Sequence, residues 1–218
     1  MLRRLLSNRS GSSAAEFALV LPVAIAFFFG ILDGGRYLWE VNRAGKATQA
    51  GARAAAVTDM IPQGVVDYSY VIDGGLSQGS VVDDTAFPGV QCEAPSGVVT
   101  CEWLGSPSEA FSLNPLDAAF QRIVKRMQVM MPTIGPENVV VTYYNSGLGF
   151  AGDPSGPDVA PLISVRLQNM EFRPILTSLF GLSWDLPGSD YTLTQEDGAG
   201  WCFEEMREVD AANDCEIS

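Results

Sequence analysis

The sequence predicts an α+β fold: a long N-terminal helix that begins as a membrane span, continues beyond it, and joins a small antiparallel sheet with at least one further helix. Three observations predict it. Residues 17–32 form a run of 16 residues without a charge. A helical spacing of small and apolar residues follows, to about residue 58. Downstream, short segments alternating at period two are separated by Gly/Pro-rich turns and one amphipathic helical stretch.

Composition bounds the function. A chain of 218 residues suits one domain plus an appendage, and its 47% hydrophobic content supports a sizeable core. Lys+Arg is 13 against Asp+Glu 26, a net charge of −13. That argues against nucleic acid as a partner, because phosphate contacts need a basic face. Histidine is absent, which removes Ser-His-Asp and Cys-His catalysis and His-based metal sites. The four cysteines include no C-x-x-C pair, so a zinc ribbon or thioredoxin-like motif is out. We therefore expect no enzyme activity, no catalytic residue, no metal site and no cofactor.

The first element starts with a basic, acid-free stretch, residues 1–11, carrying Arg3, Arg4 and Arg9. The uncharged run after it would be about 24 Å long as a helix, short of the roughly 30 Å hydrocarbon core. Extended back to Ala14 it is long enough, with a span over about 14–33 and Glu16 at the boundary. A secretory signal peptide is the alternative. Against it, a carboxylate opens the apolar region, and Ile31-Leu32-Asp33-Gly34 is a poor cleavage site. The basic residues leave orientation open, since Arg36, Arg43, Lys46 and Arg53 follow the span. The cysteines and the charge decide it. All four cysteines lie C-terminal to the span, and residues 54–218 hold 6 Lys+Arg against 23 Asp+Glu. An oxidising exterior suits both, so residues 1–11 are placed in the cytoplasm and the body outside.

Beyond the span, Leu38, Val41, Gly45, Thr48, Ala52 and Ala55 fall on one arc of a helix, and Arg36, Arg43, Lys46 and Arg53 on a roughly opposite one. The first stripe is mostly small residues that admit close approach of another element. The basic stripe reads as a solvated face, or as a contact with head groups or an acidic neighbour. Pro22 would free the carbonyl of Ala18.

Gly11-Ser12-Ser13-Ala14-Ala15-Glu16-Phe17, followed by ALVLPVAIAFFFGILDGGR and the alanine-rich ATQAGARAAA, resembles the processing site and helix of Tad (Flp-type) pilins and pseudopilins, and among them the TadE-like minor pseudopilins. The run ISVRLQNMEFRPILTSLFG, with YTLTQED after it, is similar to the closing strands of that family. The resemblance covers residues 11–58 and, more loosely, 138–197. It implies a pilin-like domain, cut by a prepilin peptidase between Gly11 and Ser12. It further implies assembly roles for Glu16 and Phe17, the latter standing where the major pilin usually has Tyr. The implied protein is a minor pseudopilin of an adhesive pilus, held in the bacterial inner membrane with a periplasmic body. Its partners would be the prepilin peptidase, other Tad pilins and pseudopilins, the inner-membrane assembly platform and the lipid bilayer. The alternative is an uncleaved, membrane-anchored periplasmic scaffold or binding protein. The domains expected are a leader at 1–11, a helix at 12–58 and an acidic body at 59–218.

Within the body, residues 65–72 (VVDYSYVI) alternate as a strand would. Residues 90–103 read as a hairpin turning at Ser96-Gly97, which sets Cys92 opposite Cys101 at a non-hydrogen-bonded position. Pro95 would cost a ladder bond, which favours a wider loop. Proximity suggests Cys92–Cys101 and Cys202–Cys215 disulfides, although four cysteines allow three connectivities. A helix is expected with Asn114 as N-cap, Pro115 at its first position, Leu116, Phe120, Ile123, Met127 and Met131 on one face, and a stop at Pro132. Strands follow at 138–144 and 163–168, joined by an exposed Gly/Pro/Asp loop at 147–161. Without other coverage, one face of the sheet would stay exposed.

The acidic tail (Glu204, Glu205, Glu208, Asp210, Asp214, Glu216) reads as a solvated end, with calcium as the other reading, and it lacks EF-hand spacing. Asp83-Asp84 is a surface loop pair. Gly147-Leu-Gly-Phe-Ala-Gly has the form of a nucleotide loop but opens no helix.

Overall fold

The computed structural model describes residues 12–154, 156–175, 181 and 183–195. It is α+β, with a long apolar helix, a five-stranded antiparallel sheet and further helices. Helix α1 spans Ser12–Val57, about 69 Å at 1.5 Å per residue. It stays helical through Pro22. The chain divides into two compact units: Met1–Asn42 with Met170–Pro187, and Arg43–Asn169 with Gly188–Ser218.

In the first unit, α1 is joined by the hairpin of β5 (Glu171–Phe172) and β6 (Trp184–Asp185). Phe172 pairs with Trp184 and Glu171 with Asp185. The Leu186 amide donates to the Met170 carbonyl at 2.8 Å, extending the pairing. Strands of two residues are too short for a period to register in sequence.

The second unit holds the last turns of α1, the short α2 (Gln63–Asp67), α3 (Asp117–Met130) and the sheet. Its strands are β1 (Val90–Glu93), β2 (Thr100–Trp103), β3 (Val139–Tyr144), β4 (Leu162–Leu167) and β7 (Ser189–Thr194), in the order β2-β1-β3-β4-β7. The hairpin is as expected: Cys92 lies opposite Cys101, and the loop is the wider, six-residue 94–99. β3 and β4 pair from Val139↔Leu167 to Tyr144↔Leu162, and β7 closes the edge with Leu162↔Thr194 to Leu167↔Ser189. The expected exposed face is not found at the centre, where β3 is buried from Val139 to Tyr143 on both sides.

Helix α1 enters this core through Ala44, Ala47, Thr48, Gly51, Ala52, Ala55 and Ala56. The buried stripe is therefore rotated from the expected one. Thr48, Ala52 and Ala55 belong to it, whereas Leu38 is exposed. A Cβ on Gly51 would sit 2.7 Å from Met127 Cγ and Sδ and 3.2 Å from Val165 Cγ1. Gly51 thus lets α1 approach α3 and β4 closely. Of the basic stripe, Lys46 and Arg53 are solvated, while Arg43 Nε donates to the Met130 carbonyl at 3.2 Å. That satisfies a C-terminal carbonyl of α3 at its negative end.

Two expectations are corrected by long-range contacts. Residues 65–72 form no strand. Val65 lies in α2, and Tyr68 and Tyr70 feed a ring cluster in which Tyr68 stacks on Phe111 at 3.9 Å and Trp103 meets Phe111 edge-on at 5.0 Å. Helix α3 starts at Asp117 rather than Pro115. Pro115 is bridged to Pro62, the Leu116 amide donates to the Ile61 carbonyl at 2.8 Å, and Asn114 has φ 42°, unlike an N-cap. Phe120, Ile123 and Met127 are buried as expected, while Leu116 and Met131, expected on the same face, are the capping residues just outside the helix.

Candidate membrane-anchor and assembly site

From Ala14 onward α1 is long and apolar enough to cross a membrane, and its most apolar stretch is not buried by the protein at all. Phe17, Leu19, Val20, Val23, Phe27, Phe28 and Ile31 are exposed around the whole circumference. A helix apolar on every side is stable only in lipid or among other helices. Residues 14–33 rise about 30 Å, the thickness of the hydrocarbon core. Glu16 and Phe17 stand at one end of this stretch, both outward. Ser12 is the first described residue of α1, and Gly11 lies outside the described residues.

Asp33 marks the other end, and sequence reading missed its role. Though adjacent to the apolar run, it is buried, at 5% exposure. Its Oδ1 accepts the Ile175 amide at 2.7 Å and Arg36 Nη1 at 3.2 Å. One turn further, Tyr37 meets Phe172 at 5.4 Å and Trp184 at 6.5 Å between ring centroids. The Arg36 guanidinium lies 5.4 Å from the Phe172 centroid, a cation–π distance. A lone carboxylate closing an apolar run was the available signal.

In the other unit, Cys92 and Cys101 form a disulfide with Cα atoms 4.1 Å apart. Cys202, Cys215 and the acidic tail lie outside the described residues. The loop at 147–161, expected to be exposed, is organised by a buried carboxylate. Asp158 Oδ2 accepts the Tyr70 amide at 2.8 Å, and Oδ1 accepts the amides of Gly152 at 2.8 Å and Asp153 at 3.2 Å. The glycines of the GxGxxG run serve this loop. Gly149 and Gly152 have φ of 87° and 80°, and a Cβ on Gly149 would meet the Asp158 carbonyl oxygen at 2.7 Å. Asp83 caps its own turn by accepting from Thr85 and the Ala86 amide, which lowers its pKa. Burial holds the phenols of Tyr70 and Tyr143 far above the usual range. Tyr143 Oη accepts the Ile61 amide at 3.1 Å. Among the described residues Tyr70 Oη has no partner.

One helix apolar enough to cross a membrane among the described residues, with an α+β body, defines a class of candidate membrane-anchored proteins. Within that class, the family model described as TadE-like protein matches residues 11–53. The segment from Gly11 to Arg53 is thus similar to TadE-like proteins. No curated protein and no solved structure matches the chain.

Proposed function

We propose that this chain is a minor pseudopilin of a Tad-type adhesive pilus. A prepilin peptidase cuts between Gly11 and Ser12. The mature helix then holds the protein in the inner membrane, with residues 1–11 cytoplasmic and the body periplasmic, until the assembly platform hands it to a filament of related pilins. The observation that carries this reading is the placement of Glu16 and Phe17 at the entry to an all-round apolar helix, inside the segment that is TadE-like. The Cys92–Cys101 disulfide supports an oxidising side for the body.

Cleavage creates an α-amine at Ser12, one turn before Glu16. The carboxylate and amine meet within one helix, or pair between adjacent subunits and set axial register. Ionisable groups at the edge of hydrocarbon are functional by default, and in this reading the role of Glu16 is to pair with a neighbour's amine as helices exchange lipid for each other. The resemblance to Tad pilins favours the pairing between chains. The test is N-terminal sequencing of membrane-extracted protein together with the Glu16→Gln variant. The expected mature start is Ser12, and the variant should insert and be cleaved yet fail to cross-link to pilins. A start at Met1, or a variant that piliates normally, would refute the proposal. The first result would favour an uncleaved scaffold.

A further inference from the structure

The hairpin β5–β6 is tied to α1 at two heights, and this gives it a direction. Its pair Phe172–Trp184 sits at Tyr37, while Ile175, three residues past Phe172, bonds Asp33. Asp33 lies four residues, about 6 Å, nearer the apolar stretch than Tyr37. The chain from Phe172 to Ile175 therefore runs back along α1 toward the apolar stretch.

Its charges are graded along the same line. The pair farthest from the span is Glu171–Asp185. Next come Phe172 and Trp184, then Arg173, then the uncharged Pro174 and Ile175. Trp184 is 49% exposed and Ile175 42% exposed, although Tyr37 and Phe172 flank the Trp184 ring. Aromatic rings with a wet edge gather where hydrocarbon meets head groups. The height matches: if residues 14–33 span the core, Asp33 lies at its boundary and Tyr37 one turn above. The Arg173 guanidinium, exposed and 3.6 Å from the Glu171 carboxylate, and that of Arg36, paired with Asp33, stand at head-group level on this placement of the span, where long basic stems stay apolar while the charge remains at the polar boundary. Asp33 has its carboxylate covered by Arg36 and the Ile175 amide, which removes the cost of a bare charge at that depth.

We infer that the hairpin β5–β6 is a second membrane contact, seating Trp184 and Ile175 in the head-group region of a phospholipid bilayer at the Asp33 end of the span. The inference rests on the anchor reading of α1. It adds a contact that fixes the rotation of α1 about its axis in the bilayer, because only one side of the helix carries the hairpin. That rotation determines which side of α1 is open to a neighbouring helix.

The experiment uses the full chain in phosphatidylcholine/phosphatidylglycerol vesicles, with Trp39, Trp103 and Trp201 replaced by Phe so that Trp184 alone reports. A parallel protein keeps only Trp103. Retention on vesicles after an alkaline wash tests the anchor, and stripping would overturn both readings at that step. On retained protein, lipids with a quencher near the head group should remove most Trp184 emission and leave Trp103 emission unchanged. Lipids quenched at the chain ends should act less on Trp184. Ile175→Asp should restore much of the Trp184 emission without loss of retention. Trp184 no more quenched than Trp103 on retained protein would overturn the inference. So would Trp184 shielded from both lipid quenchers and aqueous acrylamide, the result expected if a second protein chain covered it.

Discussion

Asp158 offers the sharpest test of how the body is held. Replacing it with Ala removes a carboxylate that accepts three amides. A hydrogen bond to a charged group contributes about 1.5–3 kcal/mol. The Gly152 and Asp153 bonds are partly buried, so water replaces much of them, but the Tyr70 amide is buried and loses its acceptor outright. The expected cost of Asp158→Ala is about 3–5 kcal/mol. Asp158→Asn keeps one acceptor and turns an NH₂ against an amide, so about 1–3 kcal/mol is expected. The control is Tyr70→Phe, which deletes a buried hydroxyl that has no partner among the described residues. It should be neutral or stabilise by up to about 1 kcal/mol, because an unsatisfied buried group is removed. Urea titration of the full chain in detergent micelles measures all three, with Trp103 as reporter through its contact with Phe111. The reasoning fails if Asp158→Asn unfolds with wild type, or if Tyr70→Phe costs as much as Asp158→Asn, which would make the phenol rather than the amide the link.

Gly51→Leu should destabilise by about 3 kcal/mol or more, because overpacking against Met127 and Val165 exceeds the helix-propensity gain of about 1 kcal/mol; an unchanged urea midpoint would contradict the close approach. Replacing Cys92 and Cys101 with Ser should cost about 2–3 kcal/mol, the scale for a loop of this length, and non-reducing peptide mapping should find that bridge together with Cys202–Cys215. Asp83 should titrate in the folded chain below the ordinary value of 3.8, since bonds from Thr85 and the Ala86 amide favour its charged form. Its contribution is present above the ordinary value and lost as pH falls through the lowered one; carboxyl-detected NMR titration checks it.

What was legible in the sequence is what local physics decides. The Cys92–Cys101 register follows from a turn centred on Ser96-Gly97, and Pro95 explains the wider loop. The buried face of α3 follows from the spacing of Phe120, Ile123 and Met127. The misreadings share a cause: contacts between residues far apart in sequence. Pro115 would start a helix in isolation, but its bridge to Pro62 holds it extended. Residues 65–72 have strand alternation, yet Gly64 approaches residue 112 so closely that a Cβ there would lie 1.9 Å from the Ser112 carbonyl oxygen. The Tyr70 amide goes to Asp158 instead of to a ladder. At the candidate site, a short motif draws attention to Glu16 and Phe17, whose roles are proposals, whereas nothing local draws it to the buried Asp33, because its partner Ile175 is 142 residues away.

The match over residues 11–53 contains two different physical instructions. The first part is a helix with no polar side, which lipid or other helices solvate about equally, so leaving the bilayer for a bundle costs little apolar burial. The second part, from Ala44 onward, is a stripe of Ala, Gly and Thr whose demand on its partner is a flat apolar surface. Neither instruction depends on the details of the body, since small side chains interdigitate with many surfaces where large ones would need a matching hole. The body is built from non-local devices: the Asp158 clamp, the Tyr68–Phe111 stack and the Pro62–Pro115 bridge. Under the proposed function, such a helix carries its body into an assembly without side-chain matching particular to that body. Its features can therefore be read at the level of a family, while the body has to be read residue by residue.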